Sequence, residues 1–322
     1  MNVQSLAFLA FLTVTVCACR LLGQKRQVWA LLAASLVFYL WNGAAGVWWS
    51  CGLLAASSAV SLLAGNSLRR QRRRGVFLAA VCYHVAVLGI FKYTGFLTGG
   101  AVQTPFVPLG ISFYSFAAIS YLIDAARGDC EVEKNFIDCA LFLNFFATVT
   151  QGPICRAGAL LPQLSAEHRF DAARTVRALR LYALGLFKYI AVADVLNMVV
   201  DTVFPHYADY SAPMLMLTAV MYTFYLYFSF SGYSEISRAT GLVLGLDLPE
   251  NFKTPFYATN FSGFWSRWHI SFSSWLQDYL FMPLAWADFG RFGRLPTELC
   301  VFCVFFASGF WHGSTAPFII WG

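Results

Sequence analysis

Thr297-Glu-Leu-Cys-Val-Phe-Cys-Val-Phe-Phe-Ala-Ser-Gly-Phe-Trp-His312 is a run in which nothing from Leu299 to Trp311 carries a charge. It reads as a helix entering a lipid bilayer. At a rise of about 1.5 Å per residue, it carries His312 roughly 20 Å into a hydrocarbon core about 30 Å thick. An imidazole at that depth is costly unless it faces a cavity or a partner, so His312 is the first candidate for chemistry.

The same signature recurs outward from this run, in Leu6 to Leu22, Val28 to Trp41, Val47 to Ala64, Val76 to Phe91 and Met214 to Phe230. Of the 322 residues only 12% are charged and 59% are hydrophobic, against about 25% charged in soluble domains. The fold class is all-α, a polytopic membrane protein with the lipid bilayer as its first partner. Barrel strands would alternate apolar and polar residues over short segments, which these runs do not. The first run lacks a basic leader, and Arg20 follows it, so a cleavable signal peptide is not expected. With no long polar segment, residues 1–322 are expected to form a single transmembrane domain.

The net charge of +6 is unevenly placed: Arg20, Lys25 and Arg26 follow the first run, and Arg69, Arg70, Arg72, Arg73 and Arg74 follow the third. Short basic loops stay in the cytoplasm, so the first span runs inward, the second outward and the third inward again. That topology accounts for the arginine run, and nucleic acid is not expected as a partner.

Seven of the nine cysteines (Cys17, Cys19, Cys51, Cys82, Cys139, Cys300 and Cys303) lie in apolar segments, where cysteine acts as a small hydrophobe. Neither Cys17-x-Cys19 nor Cys300-x-x-Cys303 has a second pair at zinc spacing, and no metal is expected. Nothing marks Cys155 as a nucleophile.

Pro105, Pro108 and Gly110 interrupt the approach to Ile111–Tyr121, a segment laced with Ser112, Ser115 and Ser120 that closes at Asp124 and Arg127. Its hydroxyls either bond backbone and neighbouring helices or line a water-filled tunnel. Asn135 to Thr150 ends at Gln151-Gly-Pro153, a loop or re-entrant turn. Arg174, Arg177 and Arg180 form a cationic stripe expected on an interfacial helix. Such a stripe attracts anionic lipid heads, at about 1 kcal/mol per basic residue, or docks an acidic carrier protein or nucleotide-bearing cofactor. Glu235 and Arg238 are spaced to pair on a helix. In Trp265 to Met282, Arg267, Ser271, Ser274 and Asp278 make one polar helical stripe, with aromatic residues covering the other side. His269 falls on the aromatic side and needs a hydrogen-bond partner there. A satisfied core histidine is the plain reading of it.

Six segments carry a resemblance: Pro108-Leu-Gly-Ile-Ser-Phe-Tyr-Ser-Phe116, Gln151-Gly-Pro-Ile154, Phe230-Ser-Gly-Tyr-Ser-Glu235, Leu248-Pro-Glu-Asn-Phe-Lys-Thr-Pro-Phe256, Phe264-Trp-Ser-Arg-Trp-His-Ile-Ser271 and Phe310-Trp-His-Gly313. In this order they resemble the membrane-bound O-acyltransferase family, especially its bacterial alginate and peptidoglycan O-acetylating branch. The resemblance implies a ring of transmembrane helices around a central tunnel, with interfacial and re-entrant helices. It implies that His312 is the catalytic histidine and His269 the second one, lining the tunnel. A neutral imidazole at His312 would take the proton of an acceptor hydroxyl, while Asn251 and Asp278 anchor the loops around it. The donor would be acetyl-CoA or another acyl thioester, used as a substrate with no resident cofactor. The acceptor would be a cell-wall or extracellular polysaccharide, reached through a periplasmic acetyl-transferring or SGNH-hydrolase-like protein, and the site of action the bacterial inner membrane. In the D-alanine branch of the same family the donor is a carrier-protein thioester. Ser229 and Glu235 depart from the family, standing where relatives carry aspartates. Relatives also continue with further spans beyond the position of Gly322, so a C-terminally truncated product is expected. Two rivals come from other classes. A polytopic transporter explains intramembrane histidines equally well on physics alone, though no repeated halves are visible. A non-catalytic membrane scaffold is the other.

Overall fold

The computed structural model describes residues 1–43, 46–71, 74–102, 104–168, 170–288, 290, 293–313 and 315–322. Arg72 and Arg73 of the basic cluster lie outside these residues, as do the side chains of Lys25 and Arg70.

Helices α1 (Leu6–Leu22), α2 (Gln24–Asn42), α3 (Val47–Gln71), α4 (Arg74–Leu97) and α5 (Ile111–Arg127) follow the apolar runs, mostly extending past them into polar flanks. Two short helices come next, α6 (Phe136–Asn144) and α7 (Ala157–Leu164). Residues 141–149 are buried throughout, so the end of α6 and the turn after it plug the first bundle instead of crossing it. The turn is tied in by Ser35, whose Oγ accepts from Phe146 N–H at 3.2 Å. Phe146 packs edge-on against Phe11 with centroids 5.1 Å apart. Trp41, Trp48 and Trp49 are exposed at the α2–α3 connection, as expected of an aromatic belt at a membrane surface.

A long helical rod follows: α8 (Ala172–Leu186), a π-turn over Phe187–Ala193, α9 (Asp194–Val203) and a 3-10 turn over Phe204–Asp209. It packs antiparallel on α10 (Ala212–Leu244). Four helical stretches among the described residues are long and apolar enough to cross a membrane: Val47–Arg69, Arg74–Leu97, Ala172–Asp209 and Ala212–Leu244. Leu6–Leu22 and Thr297–His312 are shorter apolar helices.

Three expectations change here. The stripe of Arg174, Arg177 and Arg180 sits at the start of this spanning rod, not on a separate interfacial helix. Arg174 pairs with Asp247 at 2.9 Å. Glu235 does not pair with Arg238. Instead Lys188, from the π-turn, meets Glu235 at 2.5 Å, and Arg238 meets Glu250 at 3.1 Å. Local spacing made the first pairing available, and partners brought in by tertiary packing took both ends. Arg20 does more than mark topology, donating to the carbonyls of His168 and Val243 at 3.1 and 3.2 Å.

Trp265 to Met282 is not one helix. The chain forms α11 (Phe261–Trp265), breaks, and resumes as α12 (Ile270–Leu276), a π-turn (Gln277–Phe281) and α13 (Met282–Trp286). The last elements are α14 (Thr297–His312) and α15 (Ala316–Trp321). Helix α15 crosses α14 at Gly309, where a Cβ would come within 2.4 Å of the Phe318 carbonyl oxygen.

The rod and α10 approach so closely because each offers a glycine. A Cβ on Gly232 would lie 2.8 Å from the Gly185 carbonyl oxygen. In a bilayer such small-residue contacts replace the hydrophobic drive between helices. Replacing Gly232 by Leu should therefore cost about 1–3 kcal/mol of stability through overpacking, read as a lowered Tm in detergent. An unchanged Tm would contradict the contact.

Candidate functional site

His269 sits at the break between α11 and α12, with φ 44° and ψ 53°. A non-glycine residue in this left-handed region carries about 1–3 kcal/mol of strain and persists only where its surroundings hold it. Those surroundings can be named. Asn251, fully buried, accepts the two N–H groups that follow His269: its main-chain oxygen takes Ile270 N–H at 3.0 Å and its Oδ1 takes Ser271 N–H at 3.2 Å. Its amide then donates to Ser234 Oγ at 3.1 Å. On the other side, Ile154 N–H donates to Ser271 Oγ at 2.9 Å. Lys253 N–H reaches the Arg267 carbonyl at 3.0 Å, beside an antiparallel bridge between Phe252 and Trp268. Segments distant in sequence, around residues 154, 234, 251 and 271, thus meet at one turn. The anchoring role expected of Asn251 is observed directly.

The His269 ring is 3% exposed. It stacks on Phe272 at 5.0 Å and meets Phe230 edge-on at 4.6 Å. Trp311 lies 6.3 Å away. Phe272 and Trp311 touch at 4.3 Å, and both also contact His312, at 6.1 and 4.5 Å. The two histidines named from the sequence are therefore brought to one aromatic cluster, bordered by Phe116 of α5. His269 Nε2 and Trp311 Nε1 are buried with no hydrogen-bond partner among the described residues. Buried polar atoms of this kind are uncommon and call for an explanation, such as a role in the chemistry of a site.

His312 differs from the expectation of an enclosed ring. It is exposed, flanked by Trp311 and by Trp321 of α15 at 5.2 Å. Helix α14 packs on α13, on the π-turn and on α15.

The rest of α12 and the π-turn after it are aligned on α5. Trp275 Nε1 donates to the Phe116 carbonyl at 3.0 Å, and Tyr279 donates to Asp124 at 2.7 Å. Asp278 accepts from Arg156 at 3.1 Å, and the Arg156 guanidinium lies 4.4 Å from the Tyr279 ring centroid. Asp278 thus anchors as expected. Of the α5 hydroxyls, Ser120 bonds the Ala117 carbonyl at 3.0 Å, while Ser115 is buried without a partner among the described residues. A cavity of about 250 Å3 adjoins the His269 turn, lined by Ile270, Ser271, Ser274, Arg156 and Gln163 among others.

Sequence reading passed over Lys92 and Tyr93, which touch the last turn of α14. Tyr93 OH donates to the Phe310 carbonyl at 2.8 Å, and Lys92 Nζ donates to the Trp311 carbonyl. A lysine near the end of an apolar helix was the available signal.

The fold is that of an all-helical membrane protein in which His269 and His312 share one aromatic cluster. The chain belongs to the membrane-bound O-acyltransferase family, whose profile matches residues 127–322. It is 34% identical over 326 residues to a probable alginate O-acetylase of Pseudomonas putida, covering 93% of this chain and 64% of that protein. It is 29% identical to the peptidoglycan O-acetyltransferase of Helicobacter pylori, over 92% of this chain and 62% of that one. Identity to the teichoic acid D-alanyltransferase of Bacillus subtilis is 27%, over 82% of this chain and 70% of the relative. The chain spans less than two thirds of the length of the two O-acetylating relatives.

His269 lies outside the spanning helices. Burial first, and the charge of His312 second, push its pKa down from 6.5 to about 3. Folding therefore favours the neutral ring: its contribution is complete above the unfolded value and is lost as pH falls from 6.5 towards 3. Wild type should lose thermal stability between pH 6.5 and 4 more steeply than His269→Gln. Parallel Tm–pH curves for the two would contradict this.

Proposed function

We propose that the protein transfers an acyl group, in the first instance acetyl, from a thioester to a hydroxyl on a cell-wall or extracellular polysaccharide. The carrying observation is that Phe272 and Trp311 each contact both His269 and His312. His312 is the general base. It takes the proton of the acceptor hydroxyl as that oxygen attacks the thioester carbonyl. The tetrahedral intermediate then expels the thiolate, which receives the same proton. Acceptor–OH and donor thioester become ester and free thiol, with no net proton consumed. General-base catalysis of this kind contributes about 10²- to 10⁴-fold. His269, strained and buried, orients the thioester carbonyl.

The cavity beside Ile270 and Ser271 is the approach for the donor's thioester arm in this reading, with Arg156 at its polar side. Acetyl-CoA is the preferred donor because both named O-acetylating relatives are more similar to this chain than the named D-alanyltransferase. Transfer of D-alanine from a carrier-protein thioester is the second reading, favoured by that more distant relative. The acceptor would be reached through a periplasmic acetyl-transferring or SGNH-hydrolase-like protein, and the membrane would be the bacterial inner membrane.

His312→Ala, in the protein at its natural length, should lower acetyl release from purified glycan by about 10²- to 10⁴-fold at unchanged membrane level. His269→Ala should lower it less. Unchanged acetylation in the His312 variant would sink the reading, and labelled D-alanyl carrier outperforming labelled acetyl-CoA would move it to the second donor.

A further inference from the structure

The last carbonyls of any helix lack intrahelical donors, and in a membrane that deficit must be met by other groups. At the end of α14 it is met by two consecutive residues of α4. Lys92 Nζ donates to the Trp311 carbonyl and Tyr93 OH donates to the Phe310 carbonyl at 2.8 Å. Both side chains also grip the rings of the same residues: Tyr93 stacks on Phe310 at 4.2 Å with 9° between planes, and the Lys92 ammonium lies 5.2 Å from the Trp311 ring centroid. Tyr93 is buried, 6% exposed.

The Trp311 carbonyl belongs to the same planar peptide unit as the His312 N–H. Fixing that oxygen therefore fixes the plane from which His312 projects, and with it the Trp311 ring between the two histidines. The α4 side of the contact is itself braced, since His84 Nε2 meets Ser61 Oγ of α3 at 3.0 Å. A lysine is costly in a spanning helix unless it has such work, and a cation at a helix C-terminus also complements the helix dipole.

We infer that Lys92 and Tyr93 clamp the end of α14 and are positioning residues for His312. The inference rests on the acyl-transfer reading for its kinetic consequence, and on the structure alone for its mechanical one. A displacement of about 1 Å at a catalytic group costs on the order of 10²-fold in rate.

The test uses the full-length protein reconstituted in membranes, with Lys92→Met, Lys92→Arg and Tyr93→Phe. Two measurements are made on each: steady-state acyl transfer, and hydrogen–deuterium exchange of the peptide covering residues 305–313. Lys92→Met should lower kcat by about 10- to 100-fold with KM for the thioester within about twofold. Lys92→Arg should recover most of that loss, and Tyr93→Phe should lose about threefold to tenfold. Exchange in the last turn of α14 should rise in Lys92→Met while α3 and α10 stay as in wild type. Should kcat stay within twofold, or kcat, KM and Tm all collapse without rescue by arginine, the clamp is overturned. If wild type transfers no acyl group to any acceptor, the acyl-transfer reading falls instead. The exchange result alone then decides the clamp: faster exchange confined to α14 supports it, and unchanged exchange overturns it. Tyr93→Phe, which removes one hydroxyl, keeps the test decisive if Lys92→Met does not fold.

Discussion

One buried residue, through its main-chain oxygen and its amide, carries the geometry of the site. Asn251 takes up the two N–H groups that a left-handed residue at His269 leaves facing the interior, and hands its own amide to Ser234. Unpaired, each of those groups would cost about 1–3 kcal/mol. Paired, they offset the strain of the left-handed turn. His269 is thereby placed against Phe272 and Phe230, not in the middle of a continuous helix.

Everything downstream inherits its position from that turn. Helix α12 leaves it running alongside α5, with Trp275 and Tyr279 hydrogen-bonded to α5 groups in sequence. Phe272 meets Trp311 of α14, and Trp311 brings His312 to the same cluster. The cluster is thus assembled from α5, α12 and α14, with α10 and the loop after it as the frame. Its polar atoms are few, and the unpartnered nitrogens of His269 and Trp311 lie within it.

The apolar helices were legible because membrane burial selects long apolar runs: Val47–Arg69 and Arg74–Leu97 are long enough to span, and the shorter Leu6–Leu22 and Thr297–His312 emerge with the bounds their sequence suggests. Both histidines were singled out in the sequence, one from its depth in an apolar run and the other from its resemblance to a family motif, and the fold brings them to one aromatic cluster. The break at His269 was not. Arg267, Ser271, Ser274 and Asp278 keep helical spacing across it, and the Asn251 bonds that stabilise it come from another segment. The pairing of Glu235 with Lys188 escaped for the same reason: it depends on the Gly185–Gly232 approach, which no local pattern reports. Lys92 was missed because the apolar run stops at Phe91, whereas the helix continues to Leu97. His312 itself is exposed, beside Trp311 and Trp321, where the sequence suggested an enclosed ring.

Photolabelling bears most directly on the proposal that a thioester binds at the aromatic cluster shared by His269 and His312. A non-reactive acetyl-CoA thioether with a photoreactive group in the acyl position would be irradiated with the full-length protein in membranes, and the adducts mapped by mass spectrometry. The account predicts adducts on the peptides carrying Phe272 and Trp311, suppressed by excess acetyl-CoA. Competable adducts found only on lipid-facing residues such as Trp48 and Trp49, or only near Arg69, would contradict it.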